Sequence, residues 1–187
     1  AQAEDADTLV RVSRHEYFRP TKLILPGALL AVGAWGLENG WLRSVNRDVD
    51  GHMQDLSKGR TTKIDNFLRF APTVGSIILQ VAKVPTRYTL QERLALKATS
   101  YLAYFGLVGG LKLVVHENRP DGSDDDSFPS GHTAVVFMGA EHIRAQYGGW
   151  YGAAAYTVAT GVAFLRMYNR KHWLTDVMAG AGAGILC

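Results

Sequence analysis

Six stretches of this chain are almost free of charge, and each is bounded by polar turns. They run over residues 23–37, 70–82, 98–111, from Thr133 to the Glu141-His142 pair, 145–165 and 177–187. Ala, Leu and Gly dominate them, and apolar and polar residues do not alternate along them. A strand with one buried face would show that alternation; a helix with an apolar surface would not. The pattern therefore predicts an all-α fold, a six-helix bundle. A chain of 187 residues is enough for one domain with a real core. We expect a polar amino-terminal arm over 1–22 and a single helical domain over 23–187.

The decision between a membrane and a soluble bundle rests on length against glycine. A spanning helix needs about 20 apolar residues, and only 145–165 clearly reaches that. The polar 38–66 stretch and the amino-terminal arm are also hydrophilic. Against this, Gly106/Gly110, Gly148/Gly152 and Gly180/Gly184 repeat at four-residue spacing inside apolar runs. Such pairs form the close seams of membrane helices, whereas each glycine costs a soluble helix about 1 kcal/mol. We weigh the seams more heavily and expect a multi-pass membrane protein.

Net charge is +3 with no dense basic stripe, which excludes a nucleic-acid surface. Cys187 is the one cysteine, so no disulfide forms within the chain. The opening Ala-Gln-Ala resembles the small-residue tail of a signal-peptide cleavage site. Thr89 with Glu92 three residues on predicts a capping box at a helix start.

Three short motifs carry chemistry. Lys112 to Pro120 reads KLVVHENRP, Pro129 to His132 reads PSGH, and Arg166 to Asp176 reads RMYNRKHWLTD. Each sits at the end of an apolar segment. By alternation, the ends of segments three and five and the starts of four and six share one side of the bundle. Lys112, Arg119 and Arg166 supply cations, and an Arg fork matches phosphate oxygens. Ser130 and Gly131 precede a helix, whose first amides and dipole favour an anion. His172 and Asp176 are four apart and share a helix face. A carboxylate there can take one ring proton and leave the other nitrogen free as a nucleophile. His132 is the second imidazole, suited to protonate a leaving oxygen.

These residues resemble the signature of the type 2 phosphatidic acid phosphatase (PAP2) superfamily. That signature is Lys, six residues, Arg-Pro; then Pro-Ser-Gly-His; then Ser-Arg, five residues, His, three residues, Asp. Lys112 to Arg119-Pro120, Pro129–His132, and Arg166, His172 and Asp176 match it. Leu165 departs, since the family usually has Ser there, and this removes one phosphate-facing hydroxyl. The resemblance implies a metal-independent hydrolase with no cofactor. His172 would attack phosphorus, Asp176 would orient it, and His132 would protonate the leaving alcohol and then activate water. Lys112, Arg119, Arg166, Ser130 and Gly131 would hold the equatorial oxygens. The family's bacterial membrane branch implies a phospholipid, polyprenyl or lipid A phosphate or pyrophosphate as substrate. It also implies an inner-membrane location with the site on the periplasmic face. Lys and Arg counts lean the same way, by a narrow margin, while a cleaved signal peptide would point elsewhere.

Other readings compete. A vanadium-dependent haloperoxidase uses the same anion cradle, but the small size and apolar helices argue against it. A soluble periplasmic acid phosphatase shares the scaffold. A non-enzymatic membrane scaffold or transporter would not need His132, His172 and Asp176 together. His116 and Glu117 read as loop or packing, and Glu141 and His142 as packing inside a helix. Asp124–Asp126, on a Gly/Ser loop, read as solvated rather than metal-binding. The four tryptophans suit either an interfacial belt or core filling. Residues 65–72 read as an amphipathic approach to the second segment. Head-group selectivity falls to the loops at 38–66 and 83–94.

Overall fold

The computed structural model describes residues 20–187. The proposed arm at 1–22 lies outside it apart from its last three residues. Every described regular element is helical, as the absence of alternation predicts. The helices are α1 (Ile24–Trp35), α2 (Gly40–Ser57), α3 (Ile64–Leu68), α4 (Ala71–Val81), α5 (Leu90–Tyr104), α6 (Gly110–Val114), α7 (Gly131–Tyr147), α8 (Gly149–Tyr168) and α9 (Leu174–Leu186). A short 3-10 turn at Pro20–Leu23 leads into α1. All six apolar segments fall on helices. The additional elements are the polar helix α2 and the short α3, neither of which has an apolar run to announce it.

Local chemistry sets the helix starts. Asn39 caps α2, its side chain accepting from the Leu42 N–H at 3.0 Å. The predicted capping box opens α5: the Thr89 N–H donates to Glu92 at 2.8 Å, and the Glu92 N–H to Thr89 Oγ1 at 3.3 Å. α5, a π-helical turn at Phe105–Gly109 and α6 run on as one 25-residue helix, Leu90–Val114. Gly148, at φ 99°, separates α7 from α8 and so divides the run read from 145 to 165.

α7 is the centre of the fold, flanked by α8 and α9, with α1 lying along α9. Val136, Ala140 and Ile143 of α7 meet Ala155, Ala159 and Val162 of α8 in one buried cluster. Ala134, Ala183 and Val108 form a second. Glycine permits the α7–α9 approach: a Cβ at Gly180 would stand 2.5 Å from the Ser130 carbonyl oxygen, and one at Gly184 would collide with that of Ala134. Gly152 likewise lies against Arg144. Gly106 and Gly110 face open space, so the seam expected there is absent; they belong instead to the π-helical turn and the start of α6.

The outer helices keep apolar side chains exposed. Val74, Ile77, Ile78 and Val81 of α4, and Leu90, Leu94, Leu102 and Phe105 along the long helix, are uncovered. Trp35, Trp41 and Trp150 are exposed too, Trp150 at 90%, which rules out core filling for these three. Among the described residues, one helix, Leu90–Val114, is long and apolar enough to cross a membrane. α1 and α2 would pass the same test only as one span, but they are bent by 93°. After that bend α2 lies against the starts of α8's exit loop and α9: the Asn46 side chain donates to Thr175 Oγ1 at 2.8 Å, and Asp50 holds Arg170 through two bonds of 2.8 and 2.6 Å.

Candidate active site

His172 lies in the turn between α8 and α9 and is 3% exposed. Its Nδ1 faces Ser127, with the Ser127 hydroxyl 3.5 Å away. Asp176 comes close, but its Oδ2 is 3.8 Å from Nδ1, beyond a hydrogen bond. That oxygen instead accepts from the Ser127 hydroxyl at 2.5 Å and from the Trp173 N–H at 2.9 Å. The direct His172–Asp176 hydrogen bond expected from i,i+4 spacing is therefore replaced by a contact through Ser127, with the Asp176 carboxyl beside the ring. Ser127 carries no motif; its place between the acidic run and PSGH was the one available clue.

Burial holds the His172 imidazole well below its ordinary range, and Arg166, Arg119 and Lys112 push it the same way. It is neutral at pH 7. Burial raises Asp176 to about 6, against the pull of its bonds from Ser127 and Trp173. These groups sit at the polar end of the bundle, outside its apolar stretches.

The three cations converge as alternation predicts, and each has a carboxylate partner. Lys112 Nζ donates to the Asp126 carbonyl at 2.8 Å and to its Oδ1 at 3.1 Å. Arg119 Nε donates to Asp124 Oδ1 at 2.5 Å. Asp125 meets His116 at 3.3 Å. Asp124 and Asp126 thus sit on two of the cradle's cations while all three acids stay exposed, as the sequence reading has them. Arg166, 6% exposed, bonds Asp65 at 2.6 Å, leaving its Nε buried with no protein partner. Asp65, 1% exposed, also accepts from Asn169 at 3.1 Å, and the Asn169 side chain accepts from the Thr62 N–H and donates to the Thr62 carbonyl, both at 2.9 Å.

Ser130 and Gly131 open α7 as expected, with one change. The Ser130 N–H donates to the Asp176 carbonyl at 3.1 Å, and the Ser130 hydroxyl pairs with Thr133 Oγ1 at 2.9 Å. Ser130 is fully buried. Its amide is engaged in joining α7 to α9, so the cradle's backbone donors begin at Gly131. Tyr104 approaches there: its hydroxyl would lie 3.2 Å from a Cβ at Gly131.

His132 brings in residues the sequence reading missed. Its Nε2 is 2.9 Å from Asn66 Oδ1 and 3.3 Å from Arg69 Nη1. Burial, then Arg166 and Arg69, push its imidazole down to about 3. Asp65, Asn66 and Arg69 all come from the segment read as an amphipathic approach. Asn66 and Arg69 are three apart and share a helical face, which was the only sequence signal available. Elsewhere the packing reading stands: His142 is buried and 2.9 Å from Ser100 Oγ, and Glu141 bonds Arg144 and Tyr156. Among the described residues no group of three or more His, Cys, Asp and Glu is placed to hold a metal.

A neutral buried imidazole ringed by three cations at one end of a helical bundle is the arrangement of a phosphate-handling protein. The chain belongs to the PAP2 superfamily, whose family model matches residues 85–187. It is 34% identical over 129 residues to the lipid A 1-phosphatase of Porphyromonas gingivalis, covering 67% of this chain and 29% of that one. It is 36% identical over 62 residues to YbjG of Escherichia coli, named as a candidate undecaprenyl-diphosphatase, covering 33% of this chain and 31% of that one. The chain thus spans less than a third of the length of either relative. The crystal structure of Aquifex aeolicus LpxE shares the fold, with TM-score 0.53 and 23% identity over 73% of this chain and 90% of that one.

Proposed function

We propose that the protein is a metal-independent phosphatase that hydrolyses a lipid phosphate or diphosphate through a phosphohistidine on His172. The observation that carries this reading is the burial of His172 among Lys112, Arg119 and Arg166, which keeps it unprotonated beside an anion cradle. The names of the two curated relatives supply the lipid substrate class. The exposed apolar faces of α4 and of Leu90–Val114 support a membrane-embedded protein. A multi-pass inner-membrane placement with the site on the periplasmic face belongs to the same reading.

His172 Nε2 attacks phosphorus, with its Nδ1 turned toward Ser127 and the imidazolium that develops stabilised by Asp176. Lys112, Arg119 and Arg166 take the three equatorial oxygens together with the Gly131 amide. Little covalent work falls to the protein beyond this, because phosphoryl transfer is mostly positioning and charge stabilisation. A phosphate among the cations offsets their field and lets His132 carry the proton that the leaving oxygen needs. His132 then activates the water that releases phosphate from His172.

The test is phosphate release from a panel of lipid phosphates and diphosphates with EDTA present. We expect turnover that EDTA leaves unchanged. Turnover that vanishes with EDTA would sink the metal-independent mechanism, and turnover of no member would sink the phosphatase reading.

A further inference from the structure

Four cations surround the two histidines, but the family signature accounts for only three. The fourth is Arg69, at the end of α3 and before the residues the family model matches. Lys112, Arg119 and Arg166 each have a carboxylate within 3.1 Å. Among the described residues, Arg69 has none. Its Nε is buried with no hydrogen-bond partner, its guanidinium lies 4.5 Å over the Phe70 ring, and its Nη1 is 3.3 Å from His132 Nε2. A guanidinium held in place with donors to spare is set up to receive an anion.

The proposed mechanism fixes which anion. His172 attacks on one side of phosphorus, and the leaving oxygen departs on the opposite side toward His132. A cation beside His132 Nε2 therefore stands next to the leaving group, away from the equatorial oxygens. For a monophosphate ester this is a liability. The atom beyond the leaving oxygen is carbon, which offers Arg69 nothing, and the positive charge makes it harder for His132 to hold the proton an alkoxide needs. For a diphosphate the leaving oxygen belongs to a second phosphate. That group carries charge for Arg69 to pair and needs protonation far less, its conjugate acid ionising near about 6.

We propose that Arg69 binds the phosphate of the leaving group and so selects lipid diphosphates over lipid monophosphates. This rests on the phosphatase reading and narrows it. His172 Nε2 forms a bond to the terminal phosphorus, and the bond from that phosphorus to the bridging oxygen breaks. The electron pair stays on the bridging oxygen, now a terminal oxygen of the lipid monophosphate, paired with Arg69. Water then attacks the phosphohistidine, releasing inorganic phosphate and the imidazole. The products are lipid monophosphate and phosphate, with one water consumed. Asn66, 2.9 Å from the same His132 nitrogen, positions the ring between the two phosphates.

The test uses the full chain in detergent micelles and two matched substrate pairs. One is a prenyl diphosphate with its monophosphate; the other is a glycolipid 1-diphosphate with its 1-monophosphate. We expect wild type to favour the diphosphate of at least one pair by about tenfold or more in kcat/KM. Arg69→Gln should lose about 10- to 100-fold on that diphosphate, the range for a lost charge-assisted bond, while the monophosphate rate holds or rises. Arg69→Lys should keep most of the preference. Wild type that cleaves both members of each pair equally overturns the Arg69 assignment and leaves the phosphatase reading intact. So does an Arg69→Gln loss that is equal on both members. Wild type that cleaves none of the four overturns both. The wild-type ratio decides the matter even where Arg69→Gln does not fold.

Discussion

The α7–α9 unit and the α4–α6 flank are both built from apolar helices, yet they dispose of their apolar residues in opposite ways. α7 and α9 bury Ala, Val, Met and Gly against each other and against α1 and α8. In Leu90–Val114 only 11% of the most apolar window is buried. The small side chains of the first unit let backbones touch, as at Gly180 and Gly184. Most large side chains of the second stay exposed, with Val108 the exception among the buried clusters, so their burial is left to the surroundings. His132, His172 and Asp176 all stand on the first unit, where geometry is tightest. The flank contributes Lys112, a long side chain that can reach in, and α3 and Arg69 close the side by His132.

Removing the proposed nucleophile tests this division most severely. His172→Ala should lower phosphate release by about 10⁴-fold or more while the thermal unfolding midpoint stays near that of wild type; a small loss would move the chemistry off the α7–α9 unit. Asp176→Asn comes next, at about 100-fold, since Asp176 acts as a charge through Ser127 and not by a direct bond. The Asp176 carboxyl is pushed up to about 6 by burial, so protonation as pH falls through that value removes the charge facing His172. Wild-type activity should therefore decline below about pH 6, and Asp176→Asn should lose that acid limb; an unchanged profile would exclude Asp176 as its source. The smallest effect contrasts two glycines. Gly184→Ala, which crowds the Ala134 carbonyl, should cost about 1–3 kcal/mol. Gly106→Ala, facing open space, should be neutral or stabilising by up to about 1 kcal/mol. Unfolding of both in one detergent checks this, and equal effects would erase the distinction between seam and flank.

The same division explains what could be read in the sequence. The residues from Lys112 to Asp176 were legible because three motifs in order fix both identity and spacing, and because apolar runs reveal helices whether or not they are covered. Helix α3 was not legible. Asp65 reaches Arg166 across 101 positions, and no local period records a contact that distant. Ser127 was hidden for another reason: a serine in a polar loop looks like any loop serine until the fold sets it between His172 and Asp176. Glycine spacing was an even guide only in part. It marked Gly180 and Gly184 correctly, but Gly106 and Gly110 repeat the same interval for a π-helical turn. The bend of 93° after α1, which brings α2 against the base of α9, leaves no trace in hydropathy at all.

Asp124 and Asp126 sit on Arg119 and Lys112, and this changes what kind of event substrate capture is. An anion entering a bare cationic pocket would gain its full attraction and would lose it steeply as salt rises. Under the proposed function the incoming phosphate would displace carboxylates already bonded to the same donors, so capture would be an ion exchange with charge on both sides. On that reading, affinity turns on how well a tetrahedral phosphate dianion fits the donors compared with two planar carboxylates, with a shallower salt dependence than a bare pocket would have. The acidic loop would then make the proposed site a discriminator of anion shape.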